Sequence, residues 1–390
     1  MQQNIRLVSI FNFLTDFHLL GPLAIIYFTQ VTGSFTLGMS IFSIAMLAGA
    51  IFELPTGVIS DRVGRKKTII FGSIASVISV TCYAIGMQYW WLAAGAVFEG
   101  AARAFFSGNN NAYLFDLLKE ERLEKKYHYY LGKTSSMFQL ALALSALLGG
   151  LVASISFALM VWLDLIPAIG KLLVSFFMKD TRKYDIKSSN IYSDLKFAVA
   201  FFIKNPRLRS LSLASMSDFA IGESSFQFKT AFVATLWPVW AIGLSRVFSN
   251  LGASFSFYIS GRIIQKYKEL APIVIGMIYS KIINVIALIF PTVASPAIMS
   301  TTSIFYGVSS VAETNLLQKE FTDEQRATMS SLNALGGSVL FSIIALALGF
   351  LADIMAPAGA LLIFQALGLI PLFIYIRLFR KHNTISHGRH

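Results

Sequence analysis

Charge is scarce in this chain. Asp, Glu, Lys and Arg make up 13% of its 390 residues, about half the share of an ordinary soluble protein. Too few polar side chains are present to cover a water-facing surface of this size. Cysteine is almost absent: Cys82 stands alone inside an apolar run, which excludes a disulfide framework and a thiolate metal site and leaves it to pack as a small hydrophobe. No G-x-x-x-x-G-K-[ST] loop occurs, so ATP-driven work by this chain is not expected. No H-E-x-x-H and no Cys/His ligand spacing occur either, so neither a metal nor a cofactor is expected, and no catalytic residue is assigned. His382, His387 and His390 fall in a polar tail and read as solvated. No cleavable signal peptide is expected, because Asn12, Asp16 and His18 interrupt the first apolar run.

Apolar runs take the place of what is missing. Hydrophobic residues make up 55% of the chain, including 34 Phe, and the mean hydropathy is +0.65. A helix needs about 20 apolar residues to cross a bilayer, so twelve crossings take roughly 240 residues. Twelve such runs are expected, at 7–30, 36–56, 68–88, 91–115, 135–155, 158–178, 210–231, 235–260, 271–290, 296–317, 328–351 and 358–378. The links between them alternate. Those at 31–35, 86–89, 154–156, 291–296 and 353–357 contain no Lys or Arg, whereas those at 62–67, 119–133, 179–209, 262–268 and 319–326 are rich in both. Cations accumulate on the cytoplasmic side, so both termini are expected there. Trp90 and Trp91 fall where the fourth run meets the outer surface. The net charge of +12 would suggest nucleic acid in a soluble protein. Here the cations sit between apolar runs and face anionic lipid, and no nucleic-acid partner is expected.

The longest polar link divides the chain. The expected domains are 1–178, a six-helix bundle; 179–209, a cytoplasmic linker; and 210–390, a second six-helix bundle with a short tail. Within the linker, residues 193–204 carry apolar residues among Lys196 and Lys204 before Pro206, the pattern of an interfacial helix. At an offset of 200, Lys119 and Glu120 match Lys319 and Glu320. Glu124 likewise matches Glu324, and Asp61-Arg62 corresponds to Gly261-Arg262. One offset serving three loops points to two bundles related by an axis along the membrane normal.

The loop after the second run reads Gly57, Asp61, Arg62, Gly64, Arg65, Lys66, Lys67. Its pattern, G-x-x-x-D-R-x-G-R-K-K, resembles the signature loop of the major facilitator superfamily of membrane transporters. Gly57 and Gly64 are expected to give close helix approach and a tight turn. Glu53-Leu54-Pro55-Thr56 before the loop, the stretch 104–116 ending at Asp116, and Gly349 to Asp353 resemble a bacterial branch close to drug–proton antiporters. Two features depart from that branch. Gly149-Gly150 is kept in the fifth run, but Ser145-Ala146 stands where the antiporters carry Gly-Pro. Ala96 stands where they carry an Arg. The resemblance implies an all-α membrane protein of twelve transmembrane helices, with a central cavity lined by spans 1, 2, 4, 5, 7, 8, 10 and 11. It also implies a conformational switch built from Asp61, Arg62, Gly64, Arg65 and Asp116. In it Arg65 reaches Asp116 and Asp61 approaches the start of the eleventh span near residues 327–330.

An ionisable group at bilayer depth costs a few kcal/mol and so faces a cavity or a partner. Asp16, Asp218 and Glu223 are the candidates for proton coupling. Glu99, Arg103, Asn110, Gln227 and Arg246 are the candidates for substrate contact. Glu99 and Arg103, four residues apart, can pair on one helix face, either as a structural pair or with Arg103 taking an anionic group. His18 is expected to be a hydrogen-bonded polar residue. Asp164 and Lys171, seven apart, are expected to share a face and pair. Lys281 has no evident partner. The leading expectation is a monomeric secondary transporter, multi-pass in the inner membrane, with a small-molecule substrate and protons as its partners. It would export an amphipathic molecule by alternating access. Two readings stay open beside it: a carrier of a polar or anionic metabolite such as an organic acid or metal chelate, and a non-transporting receptor or lipid scramblase.

Overall fold

The computed structural model describes residues 2–120, 122–181, 200, 202–321 and 326–387, with side chains at all of these except 2, 54, 58, 61, 128, 326, 327 and 381–387. Every regular element among them is helical, and each of the twelve expected runs lies in helix. The stretch 193–204 falls largely outside the described residues.

The chain divides into two compact units, one comprising Met1–Lys187 with Pro238–Val247, the other Ser188–Trp237 with Phe248–His390. The first contains α1 (Gln2–Asp16), α2 (Ala24–Thr32), α3 (Phe35–Val63), α4 (Arg65–Ile85), α5 (Tyr89–Phe106), α6 (Asn109–Glu120), α7 (Tyr127–Ala153), α8 (Phe157–Leu163) and α9 (Leu165–Phe177). The second contains α10 (Pro206–Val233), most of α11 (Val239–Tyr267), α12 (Leu270–Ile289), α13 (Ser295–Ser300), α14 (Tyr306–Glu320), α15 (Arg326–Leu367) and α16 (Leu369–His387). The start of α11 belongs with the first unit because it packs closely on α7. A Cβ on Gly150 would meet the Trp240 carbonyl, and one on Gly243 would meet that of Ala146.

Helix ends follow local chemistry. The Ser34 hydroxyl accepts from the Leu37 N–H, and that of Ser156 from Leu159. Asn205 accepts from the N–H groups of Arg207 and Leu208, with Pro206 in the first helical turn. Several runs expected to be continuous are interrupted. The first breaks between Asp16 and Ala24, where Pro22 lacks an N–H and its ring opposes the carbonyl four residues earlier. The fourth breaks at Ser107-Gly108, with Gly108 at φ +65°. The sixth breaks at Asp164, and α15 kinks at Met355 and Ala356.

The surface is apolar and much of the interior is small and polar. Ile51, Ile166, Phe177, Phe290 and Phe373 are each more than half exposed, while Ser73, Ser175, Ser224 and Ser256 are fully buried. Ser73 and Ser175 return their hydroxyl protons to helix carbonyls, Ile69 and Leu172. Apolar faces this extensive require hydrocarbon rather than water around them. Seven helical stretches among the described residues are long and apolar enough to cross a bilayer, and the last, Thr328–Arg380, holds the eleventh and twelfth expected runs. The runs that fall short are the fourth, seventh, eighth and tenth. They carry Glu99, Arg103, Asp218, Glu223, Arg246 and Glu313, charges that lower their hydropathy.

Candidate functional site

In the first unit the site starts at the break in the first span. Unwinding leaves the Leu19 and Leu20 N–H groups without helical partners. Both donate to the buried Asp164 carboxylate, at 2.6 and 3.0 Å. The same carboxylate lies 2.8 Å from Nδ1 of His18. Gly149 sits against this break, where a Cβ would meet the Leu19 carbonyl. Asp164 therefore does not pair with Lys171 as the seven-residue spacing suggests. Seven residues span about 10.5 Å of helix, too far for direct contact, and each side chain has a nearer partner. Lys171 instead donates to Ser76 at 2.8 Å, lies 5.0 Å from the Phe106 ring centroid, and interacts electrostatically with Asp16. Asp16 stands at the end of α1 rather than partway down a continuous helix.

Glu99 and Arg103 form an ion pair one turn apart on α5. The Tyr83 hydroxyl donates to the second Glu99 oxygen at 2.7 Å. Tyr83 had no signal in the sequence beyond its place in an apolar run.

In the second unit, Asp218 on α10 interacts electrostatically with Lys281 on α12 and with Glu313 on α14. Ser215 and Tyr375 border Glu313, and Asn333 donates to Ser215 at 3.3 Å. The sequence reading left Lys281 without a partner and overlooked Glu313. The signal was present: Glu313 is the sole charge between Pro296 and Gln318. Glu223 accepts from Gln227 at 2.7 Å, one turn along α10. Arg246 is buried on α11, in the segment that belongs to the first unit. Asn110 keeps a buried side-chain oxygen with no hydrogen-bond partner among the described residues.

The signature loop has its own geometry. Gly64 takes φ +96° between α3 and α4, a conformation that favours glycine. Arg65 donates to the Ser60 hydroxyl at 2.7 Å, and its Nε lies 3.7 Å from Asp116. Ser60 in turn donates to Asn109 at 2.7 Å, and Asn109 donates to the Arg65 carbonyl at 3.1 Å. This ring ties α3, α4 and α6 together. Arg62 is exposed at the end of α3, and Asp61 lies in the last turn of that helix with its side chain outside the described residues. The expected close approach at Gly57 is not found: no described atom lies within 4 Å of a Cβ built there.

An all-helical, lipid-facing protein with charges on its broken and less apolar helices is a membrane carrier by architecture. The family model described as Major Facilitator Superfamily matches residues 7–346, and the chain belongs to that family. It is 24% identical over 373 residues to an uncharacterised MFS-type transporter of Methanocaldococcus jannaschii, covering 92% of this chain and 94% of the relative. It is also 24% identical over 242 residues to a class H tetracycline resistance protein of Pasteurella multocida, covering 58% and 57% of the two chains. Among solved structures, the nucleoside transporter NupG aligns with a TM-score of 0.82 at 14% identity, over 96% of this chain and 98% of that one. A D-xylose–proton symporter aligns at 0.73 and 12%, over 95% of each. These structural likenesses show the fold alone.

Proposed function

We propose that this transporter couples proton movement to export of a small amphipathic molecule by alternating access, as a monomer in the inner membrane. In this reading it has twelve spans and cytoplasmic termini. The observation that carries proton coupling is the charge balance of the second unit. Asp218 interacts electrostatically both with the cation Lys281 and with a second carboxylate, Glu313. With all three ionised the group is negative, which is costly away from water. One bound proton makes it neutral. Asp16 interacts electrostatically with Lys171 and His18, and this reading places the coupling role at Asp218 and Glu313, with Asp16 as the alternative carrier and Glu223 hydrogen-bonded to Gln227 on α10. Export of an amphipathic molecule is supported by the similarity to a protein named for tetracycline resistance; the Ser145-Ala146 departure weighs against it. Asp61, Arg62, Gly64, Arg65 and Asp116 act as the switch, with the Arg65–Asp116 contact bracing the loop. Purified protein in proteoliposomes tests the proposal: substrate addition should drive proton flux. Substrate movement with no proton flux would overturn it. Arg246, buried in an apolar helix, favours an anionic substrate as the second reading. In that case Arg246→Gln should weaken binding more than it lowers thermal stability.

A further inference from the structure

The second copy of the signature loop has kept a cation and lost its carboxylates. In the first copy, Asp61 precedes Arg62, and Asp116 stands beside Arg65. At the offset of 200, Gly261 replaces Asp61, Arg262 matches Arg62 and Leu316 replaces Asp116. Gln265 also replaces Arg65, and this second copy has a cavity of about 610 Å3 between the ends of α11 and α14. Tyr258, Arg262, Gln265, Lys268, Asn315 and Lys319 line it, together with the single acid Glu269. That acid is engaged by Lys319. Neither Arg262 nor Lys268 makes an ion pair among the described residues, although Lys268 adds to the field at neighbouring Glu269. Three cations against one carboxylate leave two positive charges in excess around the cavity. Lys268 ends α11 at φ +62°, a left-handed position that glycine fills without strain, and it sets its charge at the cavity rim.

We infer that this cavity binds the phosphate of an anionic phospholipid, which takes the place of the carboxylates lost from the repeat. Arg262 and Lys268 supply the charge, and Gln265 and Asn315 the hydrogen-bonding groups. A lipid fits better than a free anion because the cavity opens beside an apolar helix face. Phe255, Tyr258 and Tyr267 on α11 are each more than half exposed, so acyl chains can lie along them while the headgroup enters.

Native mass spectrometry of the full chain, released from nanodiscs containing phosphatidylglycerol and phosphatidylcholine, tests the inference. The parent should retain phosphatidylglycerol preferentially. Arg262→Gln with Lys268→Gln should lower its retention about thirty-fold, since each cation near a lipid surface contributes about 1 kcal/mol. Lys125→Gln with Lys126→Gln, the same charge loss at exposed positions in the other unit, should leave it unchanged. Gln265→Glu, which returns a carboxylate to the cavity, should also expel the lipid and guards against a folding defect in the double variant. Equal retention in the double variant, or in Gln265→Glu, would overturn the inference. So would retention of phosphatidylcholine as strong as that of phosphatidylglycerol, or displacement of the lipid by inorganic phosphate, which would mark a site for a soluble anion.

Discussion

In the first unit Glu99 lies against Arg103, Asp164 against His18 and two backbone N–H groups, and Asp16 opposite Lys171. In the second, Asp218 interacts with the cation Lys281 and also with a second carboxylate, Glu313. The first arrangement balances its carboxylates locally and reads as structure. The second leaves one negative charge over and has room for a proton. The loops differ too: Asp116 meets Arg65 in the first copy, whereas Leu316 and Gln265 stand at the matching positions of the second. Two bundles that resemble each other in outline have thus come to differ in how each buried charge is satisfied.

The largest expected effect tests that contrast directly. Glu313→Gln should reduce gradient-driven transport in proteoliposomes to the passive rate while substrate still binds, because an amide cannot release a proton. Asp16→Asn should retain coupling. The opposite pattern would return the proton to the first unit.

Asp164→Ala should destabilise the protein by about 3–5 kcal/mol, the range for breaking a buried charged contact. It strands two backbone donors as well as His18. Chemical unfolding in detergent measures this, and a loss below about 1 kcal/mol would mean that water satisfies the break in the first span.

A smaller effect separates pairing from substrate contact. Arg103→Gln should cost about 1 kcal/mol, because Arg103 is half exposed, and adding Glu99→Gln should recover part of it. Recovery of transport along with stability would leave Arg103 a structural role. Transport still lost in a stable double variant would assign Arg103 to the substrate.

The smallest effect lies at the Lys319–Glu269 pair of the second unit. Burial alone would raise the Glu269 carboxyl, but Lys319 outweighs it and holds the group below its ordinary value near 4.5. A depressed carboxyl stabilises the folded state above the ordinary value, and that contribution is lost as pH falls through the lower folded one. Lys319 is largely exposed, so the pair should contribute under about 1 kcal/mol. Lys319→Gln should lower stability by that amount above about pH 4.5, leave it unchanged at the acid end, and so flatten the acid limb of a stability–pH curve.

The sequence by itself determined the membrane class, the helical runs and the alternation of basic links. These depend on hydropathy and charge, which are properties of short stretches read one at a time. The Arg65–Asp116 contact was legible because both residues sit in a motif, and Gly64 because only a turn needs its φ. Tertiary structure alone decided the partners. The seven-residue spacing of Asp164 and Lys171 suggested one face, yet each side chain found a nearer partner on another element. Lys281 and Asp218 lie more than sixty residues apart in sequence, and only the fold of the second unit lets their charges interact. Gly57, expected at a helix contact, has no described atom within 4 Å of a Cβ built on it. A buried charge chooses its partner by distance across helices and by which backbone donors a break sets free, and neither distance nor break can be measured along the chain.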